Sequence, residues 1–123
     1  MARIPRLLLS GESATYHVVS RTALQGFVLD DVEKDRFVRL LRHLAAVYFT
    51  ELFGFCVMGN HVHLLLRMRR ADEFSDDEIR RRFILYYGEA RAQTLGEDQL
   101  PFYGGKWASL SEFVKELKQS FSR

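Results

Sequence analysis

Two histidines one residue apart, in Asn60-His61-Val62-His63-Leu64, carry the sharpest chemical signal in the chain. In an extended segment alternate side chains leave the same face. His61 and His63 then start about 7 Å apart, given a rise of about 3.3 Å per residue. Two imidazoles converging from that spacing can hold one divalent cation. Imidazole suits zinc, manganese or nickel better than magnesium, which prefers oxygen ligands, and a third ligand is required. The same pair also reads as two surface histidines on a half-buried strand, and a His-x-His motif alone does not choose between them.

Other residues offer weaker chemistry. His17, in Tyr16-His17-Val18-Val19-Ser20, can be a ligand, a DNA contact or a satisfied sheet residue. Lys115 and Lys118 are three apart, so on a helix they share one side and could hold a phosphate backbone. Arg69-Arg70 and Arg80-Arg81-Arg82 form a denser basic cluster. Asp72, Glu73, Asp76, Asp77 and Glu78 lie beside it, so mutual neutralisation on a solvated helix is expected. Tyr86 and Tyr87 can stack on bases, serve as nucleophiles, or simply pack at a helix end. His43 reads as plain surface. No Gly-rich phosphate loop, Ser-His-Asp set or paired-carboxylate site is present.

The elements that must position these groups follow from periodicity. Gly11–Ala14 reads as a turn, and Thr15–Arg21, rich in β-branched and aromatic residues, as a strand. Gly26 and Asp30-Asp31 punctuate the chain. Asp30 or Asp31 caps a helix over Val32–Val47, with Glu33 in its first turn and an apolar stripe of Phe37, Leu40, Leu41, Leu44, Val47 and Tyr48. Leu52–Met58 is a short apolar run suited to a buried strand, and its Cys56 is expected to be a buried small hydrophobe. Gly59-Asn60, two residues that tolerate positive φ, make a hairpin turn into a strand over His61–Met68. Strand, helix, strand, tight turn, strand opens a split βαβ, ferredoxin-like unit, in which the first and third strands are neighbours and His17 can approach His61 and His63.

Beyond it, Ser75-Asp-Asp-Glu78 and Ser109-Leu-Ser-Glu112 are capping boxes. They open a helix from Asp76 to about Tyr87 and another from Leu110 to the end. Between them, Thr94–Gly105, with Gly96, Pro101, Gly104 and Gly105, is expected to be a loop. The last helix carries Leu110, Phe113, Val114, Leu117 and Phe121 on one stripe and is in full period at Arg123. We therefore expect an α+β domain, 1–123, with helices packed on a central antiparallel sheet and incomplete at the C-terminus.

Composition bounds the function without choosing it. The 123 residues suit one domain, and 47% hydrophobic with 28% charged residues is the profile of a folded chain. Net charge is +2, which accommodates an anionic partner without demanding one. The single cysteine rules out an intrachain disulfide framework and a cysteine-based zinc site, and fits a reducing cytoplasm. The basic and apolar start, Met1–Ser10, is too short in leucines for a signal peptide. No run nears the roughly 20 apolar residues of a membrane span.

Together the motifs resemble a known family. Tyr16-His17-Val18-Val19-Ser20-Arg21 is similar to its first strand, a Tyr-His-Val segment with an Arg following. Phe55-Cys56-Val57-Met58-Gly59-Asn60-His61-Val62-His63-Leu64-Leu65 is similar to its hallmark, Met-x-x-His-hydrophobic-His. Leu110–Arg123 resembles its Leu-Lys-x-x-Phe-Ser-Arg helix. The family is that of the single-tyrosine HUH transposases, with the REP-associated tyrosine transposases as the nearest branch. The resemblance implies that His61 and His63 hold magnesium or manganese against a scissile phosphate; the candidates for contact with DNA are His17, Arg21, Lys115 and Lys118. It further implies tyrosine attack on single-stranded or hairpin DNA through a 5′-phosphotyrosine link, with homodimers and monomers both known. The family nucleophile follows the region matching Leu110–Arg123, and none of Tyr16, Tyr48, Tyr86, Tyr87 and Tyr103 stands there. The expectation is therefore a fragment or truncated product that cleaves poorly alone. The alternative is a non-catalytic nucleic-acid-binding module that keeps the fold.

Overall fold

The computed structural model describes residues 14–21 and 29–122, with the backbone alone at Ser20 and Arg21. The turn expected at Gly11–Ala14 and the break at Gly26 lie outside these residues or at their margin. Three strands, β1 (Ala14–Arg21), β2 (Thr50–Val57) and β3 (His61–Met68), form an antiparallel sheet in the order β1-β3-β2. Five helices accompany it: α1 (Asp31–Val47), α2 (Asp76–Tyr87), α3 (Glu89–Ala92), α4 (Leu100–Trp107) and α5 (Leu110–Phe121). This is the α+β, split-βαβ arrangement expected from the pattern, with β1 and β3 adjacent.

Burial divides the sheet into two unlike faces. On β3, Val62, Leu64, Leu66 and Met68 are at most 3% exposed, whereas the alternate residues His61, His63, Leu65 and Arg67 are not buried. Tyr16 and Val18 of β1 join the first set. Period-two alternation of this kind means that one face packs on helices and the other stays open. The covered face meets Phe37, Leu41 and Leu44 of α1, Ile79 and Phe83 of α2, Trp107 of α4, and Phe113, Val114 and Leu117 of α5 in one core.

The helices begin where side chains satisfy their first amides. Asp30 caps α1: its carboxylate accepts from the Glu33 amide at 2.7 Å, and Glu33 returns the bond to the Asp30 amide. Ser75 and Ser109 accept from the Glu78 and Glu112 amides at 3.1 and 3.2 Å. Neither glutamate returns the bond, so each expected capping box is half formed. The Glu78 carboxylate is taken by Arg81 and Arg82 instead.

Two further expectations are corrected. The loop expected over Thr94–Gly105 ends at Gln99, because α4 starts at Leu100 and runs through Pro101, Gly104 and Gly105. Proline in the first helical turn loses no hydrogen bond. Gly104 allows close packing: a methyl group there would lie 3.4 Å from Ile79 Cδ1 and 3.7 Å from Ala71 Cβ. Burial of Leu100 and Trp107 outweighs the low helix propensity of the glycines. The Gly59–Asn60 connection does close on two residues, since the Met58 amide donates to the His61 carbonyl at 2.8 Å. Among the described residues, however, Gly88 is the one position with positive φ. The Leu29 amide holds the Gly59 carbonyl at 2.7 Å, which ties the turn to the entry of α1.

Candidate metal and nucleic-acid site

The open face of the sheet is assembled by register. Val19 pairs with His63, His17 with Leu65 and Thr15 with Arg67 across β1 and β3. On the other side Glu51 pairs with Arg67, then Gly54 with Leu65 and Cys56 with His63, because a bulge at Phe53 inserts one residue between Leu52 and Gly54. One inserted residue inverts the facing of everything after it. This is why Cys56 is exposed beside His63 rather than buried as expected. Phe53, left without a partner by the bulge, is 54% exposed.

His61 and His63 leave this face together, as expected of alternate strand residues. His61 stands at the first position of β3, and its Nδ1 lies 2.7 Å from Asn60 Oδ1. His63 Nδ1 lies 3.2 Å from His17 Nε2, with the two rings edge to edge at 5.4 Å between centroids and 25° between planes. Both Nδ1 atoms are therefore engaged by neighbours, and Nε2 is the nitrogen of each ring that a cation can take. A ligating histidine commonly donates its other ring N–H to an acceptor that fixes the ring and its tautomer. The donor chemistry thus suits a divalent cation, with one imidazole nitrogen available on each ring. Among the described residues no cluster of three histidine, cysteine or carboxylate side chains completes it. Pattern reading treated Asn60 only as a turn residue; its amide oxygen beside His61 depends on local geometry that residue type does not reveal.

The remaining expected contacts divide. His17 joins the histidine face. Arg21 pairs by its backbone with His61 at the end of β1, and its side chain lies outside the described residues. Lys115 and Lys118 are elsewhere. They project from α5, whose Phe113, Val114 and Leu117 sit in the core beneath the covered face. Lys115 borders a polar recess with Lys106, Glu112 and Glu116. The arginine cluster is neutralised as expected: Arg69 binds Glu73 and Glu51, Arg70 binds Asp72, and Arg81 and Arg82 share Glu78.

All five tyrosines are among the described residues, and none lies on the histidine face. Tyr16 is buried on the covered side of β1. The Tyr48 hydroxyl donates to Glu116 at 2.6 Å, and burial first, then that carboxylate, pushes its ionisation far above the ordinary phenol range. Tyr86 also donates to Glu116 and stacks on His43. Tyr87 packs between Phe83 and Tyr103, and burial raises its ionisation too.

Among the described residues the sheet therefore carries helices on one side and the His-x-His pair on the other. The chain belongs to the IS200-like transposase family, whose sequence model matches residues 10–76, more than half of its 123. The matched span contains β1, α1, β2 and β3, and with them His17, His61 and His63. No curated protein and no solved structure matches the chain. Among the described residues no helix is long and apolar enough to cross a membrane.

Proposed function

We propose that this transposase acts on single-stranded or hairpin DNA in the cytoplasm, by metal-assisted phosphodiester cleavage and rejoining. The observation that carries the reading is the open sheet face on which His61 and His63 stand side by side with Nε2 available on each. His61 and His63 would hold magnesium or manganese, which when bound acts as a Lewis acid on the phosphate. The face itself suits an extended strand: among the described residues no helix covers it, His17 lies beside His63, and Arg67, held by Glu51, stands farther along β3. In the reaction a tyrosine oxygen bonds to phosphorus as the bond to the 3′ oxygen breaks. This leaves a 5′-phosphotyrosine and a free 3′-OH, and the covalent link keeps the bond energy for rejoining.

The nucleophile is assigned to no tyrosine of these 123 residues, since each packs away from the histidine face. It would come from a further segment of polypeptide, carried by the same subunit or, in a homodimer, by its partner. The contacts to DNA are assigned to His17 and Arg21 beside the cation, and to Lys115 and Lys118 farther along the substrate. Incubation with a nicked hairpin DNA and manganese tests the assignment. We expect manganese binding that His61→Ala or His63→Ala abolishes, and no covalent adduct from this chain alone. An adduct would place the nucleophile within the chain, and Tyr86, Tyr87 and Tyr103 variants would locate it. Hairpin binding with no manganese binding would overturn the catalytic reading in favour of a non-catalytic nucleic-acid-binding module.

A further inference from the structure

We propose that His17 is a positioning residue that selects the tautomer of His63 and so leaves His63 Nε2 bare for a divalent cation. The cation part of the inference rests on the two-histidine site proposed above. His63 Nδ1 and His17 Nε2 are 3.2 Å apart, so one proton lies between them. A neutral imidazole carries a single N–H and one acceptor nitrogen. If His17 donates, His63 accepts on Nδ1 and its own proton sits on Nε2, so neither nitrogen of His63 can take a cation. If His63 donates, its Nε2 lone pair is free, and His17 keeps its own proton on Nδ1. Only the second arrangement is compatible with coordination, and it requires an acceptor where His17 Nε2 stands.

The fold supplies that acceptor by register rather than by sequence proximity. Val19 is opposite His63, so His17 is its diagonal neighbour on the same face, within reach of a ring. The ring planes lie within 25° of one another and the centroids are 5.4 Å apart, so the rings meet edge to edge and each nitrogen points along its own ring plane at the other, as a hydrogen bond requires. Asn60 Oδ1, which can only accept, does the same for His61 at 2.7 Å. The two histidines are thus oriented alike by unlike neighbours, one adjacent in sequence and one 46 residues away. An unconstrained histidine in water favours the proton on Nε2, so without His17 the ring of His63 reverts to the form that hides the ligating nitrogen.

The test uses the full chain labelled with 15N at pH 8, with long-range 1H–15N spectra read on the free protein and manganese affinity measured separately. In the wild type His63 should carry its proton on Nδ1. His17→Ala should move it mainly to Nε2 and weaken manganese binding roughly tenfold or more. His17→Gln, whose Oε1 can accept the same N–H, should restore both. His17 is exposed, so these variants keep the core intact. A wild-type proton on Nε2, or an unchanged tautomer and affinity in His17→Ala, would overturn the inference. A tautomer that follows His17 in a protein that binds no manganese would instead sink the cation site and leave the tautomer assignment standing.

Discussion

Glu78 gathers two guanidinium groups onto one carboxylate. Arg81 binds it through Nε at 2.9 Å and Nη2 at 2.7 Å, and Arg82 through Nε at 2.7 Å. The Arg81 hydrogen bond first, and that of Arg82 after it, hold the carboxyl at about 2, well below the ordinary glutamate range. Arg82 in turn donates to the Tyr48 carbonyl at 2.7 Å and the Val47 carbonyl at 3.2 Å, which fastens α2 to the end of α1. A carboxyl depressed on folding stabilises the native state above its unfolded value and loses that contribution as the pH falls toward its folded value. Between pH about 4.5 and 2, wild-type stability should therefore decline toward that of Glu78→Gln. The two should differ by about 0.5–1 kcal/mol at pH 7, the upper end of the range for partly exposed ion pairs. Urea melts of both proteins across that range measure it. A difference that stays constant with pH would mean that Glu78 acts through packing and not through charge.

At the scale of elements, α4 is the clearest case of packing overriding local preference. Two adjacent glycines lower helix propensity, yet Leu100 and Trp107 bury the helix at both ends. The glycines differ in their surroundings. A methyl group at Gly104 would touch Ile79 and Ala71, whereas at Gly105 it would meet nothing within 4 Å. Gly105→Ala should therefore stabilise the protein by about 0.5–1 kcal/mol, the helix-propensity difference plus the reduced freedom of the unfolded chain. Gly88 has φ +92° between α2 and α3, so alanine there should be destabilising. Thermal or urea melts separate the two. Loss of stability in Gly105→Ala would mean that residue 105 is not helical.

For the whole molecule, the decisive feature is one-sidedness. The sheet puts its histidines on the open face and the helical core on the other, so Lys115 and Lys118 of α5 are not part of the histidine cluster. A DNA that touches both must extend beyond a single nucleotide, as a hairpin with a flanking strand does. Binding of such a hairpin should weaken with rising salt. Lys115→Ala and Lys118→Ala should each lower the slope of log K against log salt by about one, with manganese affinity unchanged. Fluorescence anisotropy at several salt concentrations reads the slope. Slopes identical to the wild type would remove both lysines from the interface.

The sequence by itself determined what depends on near neighbours: the α1 cap at Asp30, the starts of α2 and α5 at Ser75 and Ser109, the His61–His63 alternation, and the neutralised arginines around Glu78. Each is settled by residues within a few positions, where periodicity and side-chain type suffice. The adjacency of β1 and β3 was also within reach, because few connections are allowed to a strand-helix-hairpin order. Only the tertiary structure decided the facing of Cys56, which a one-residue bulge inverts, and the helical state of residues 100–107, which burial of Trp107 enforces. It also decided the contact between His17 and His63. That contact needs an exact register between strands 46 residues apart, and no local pattern encodes a register.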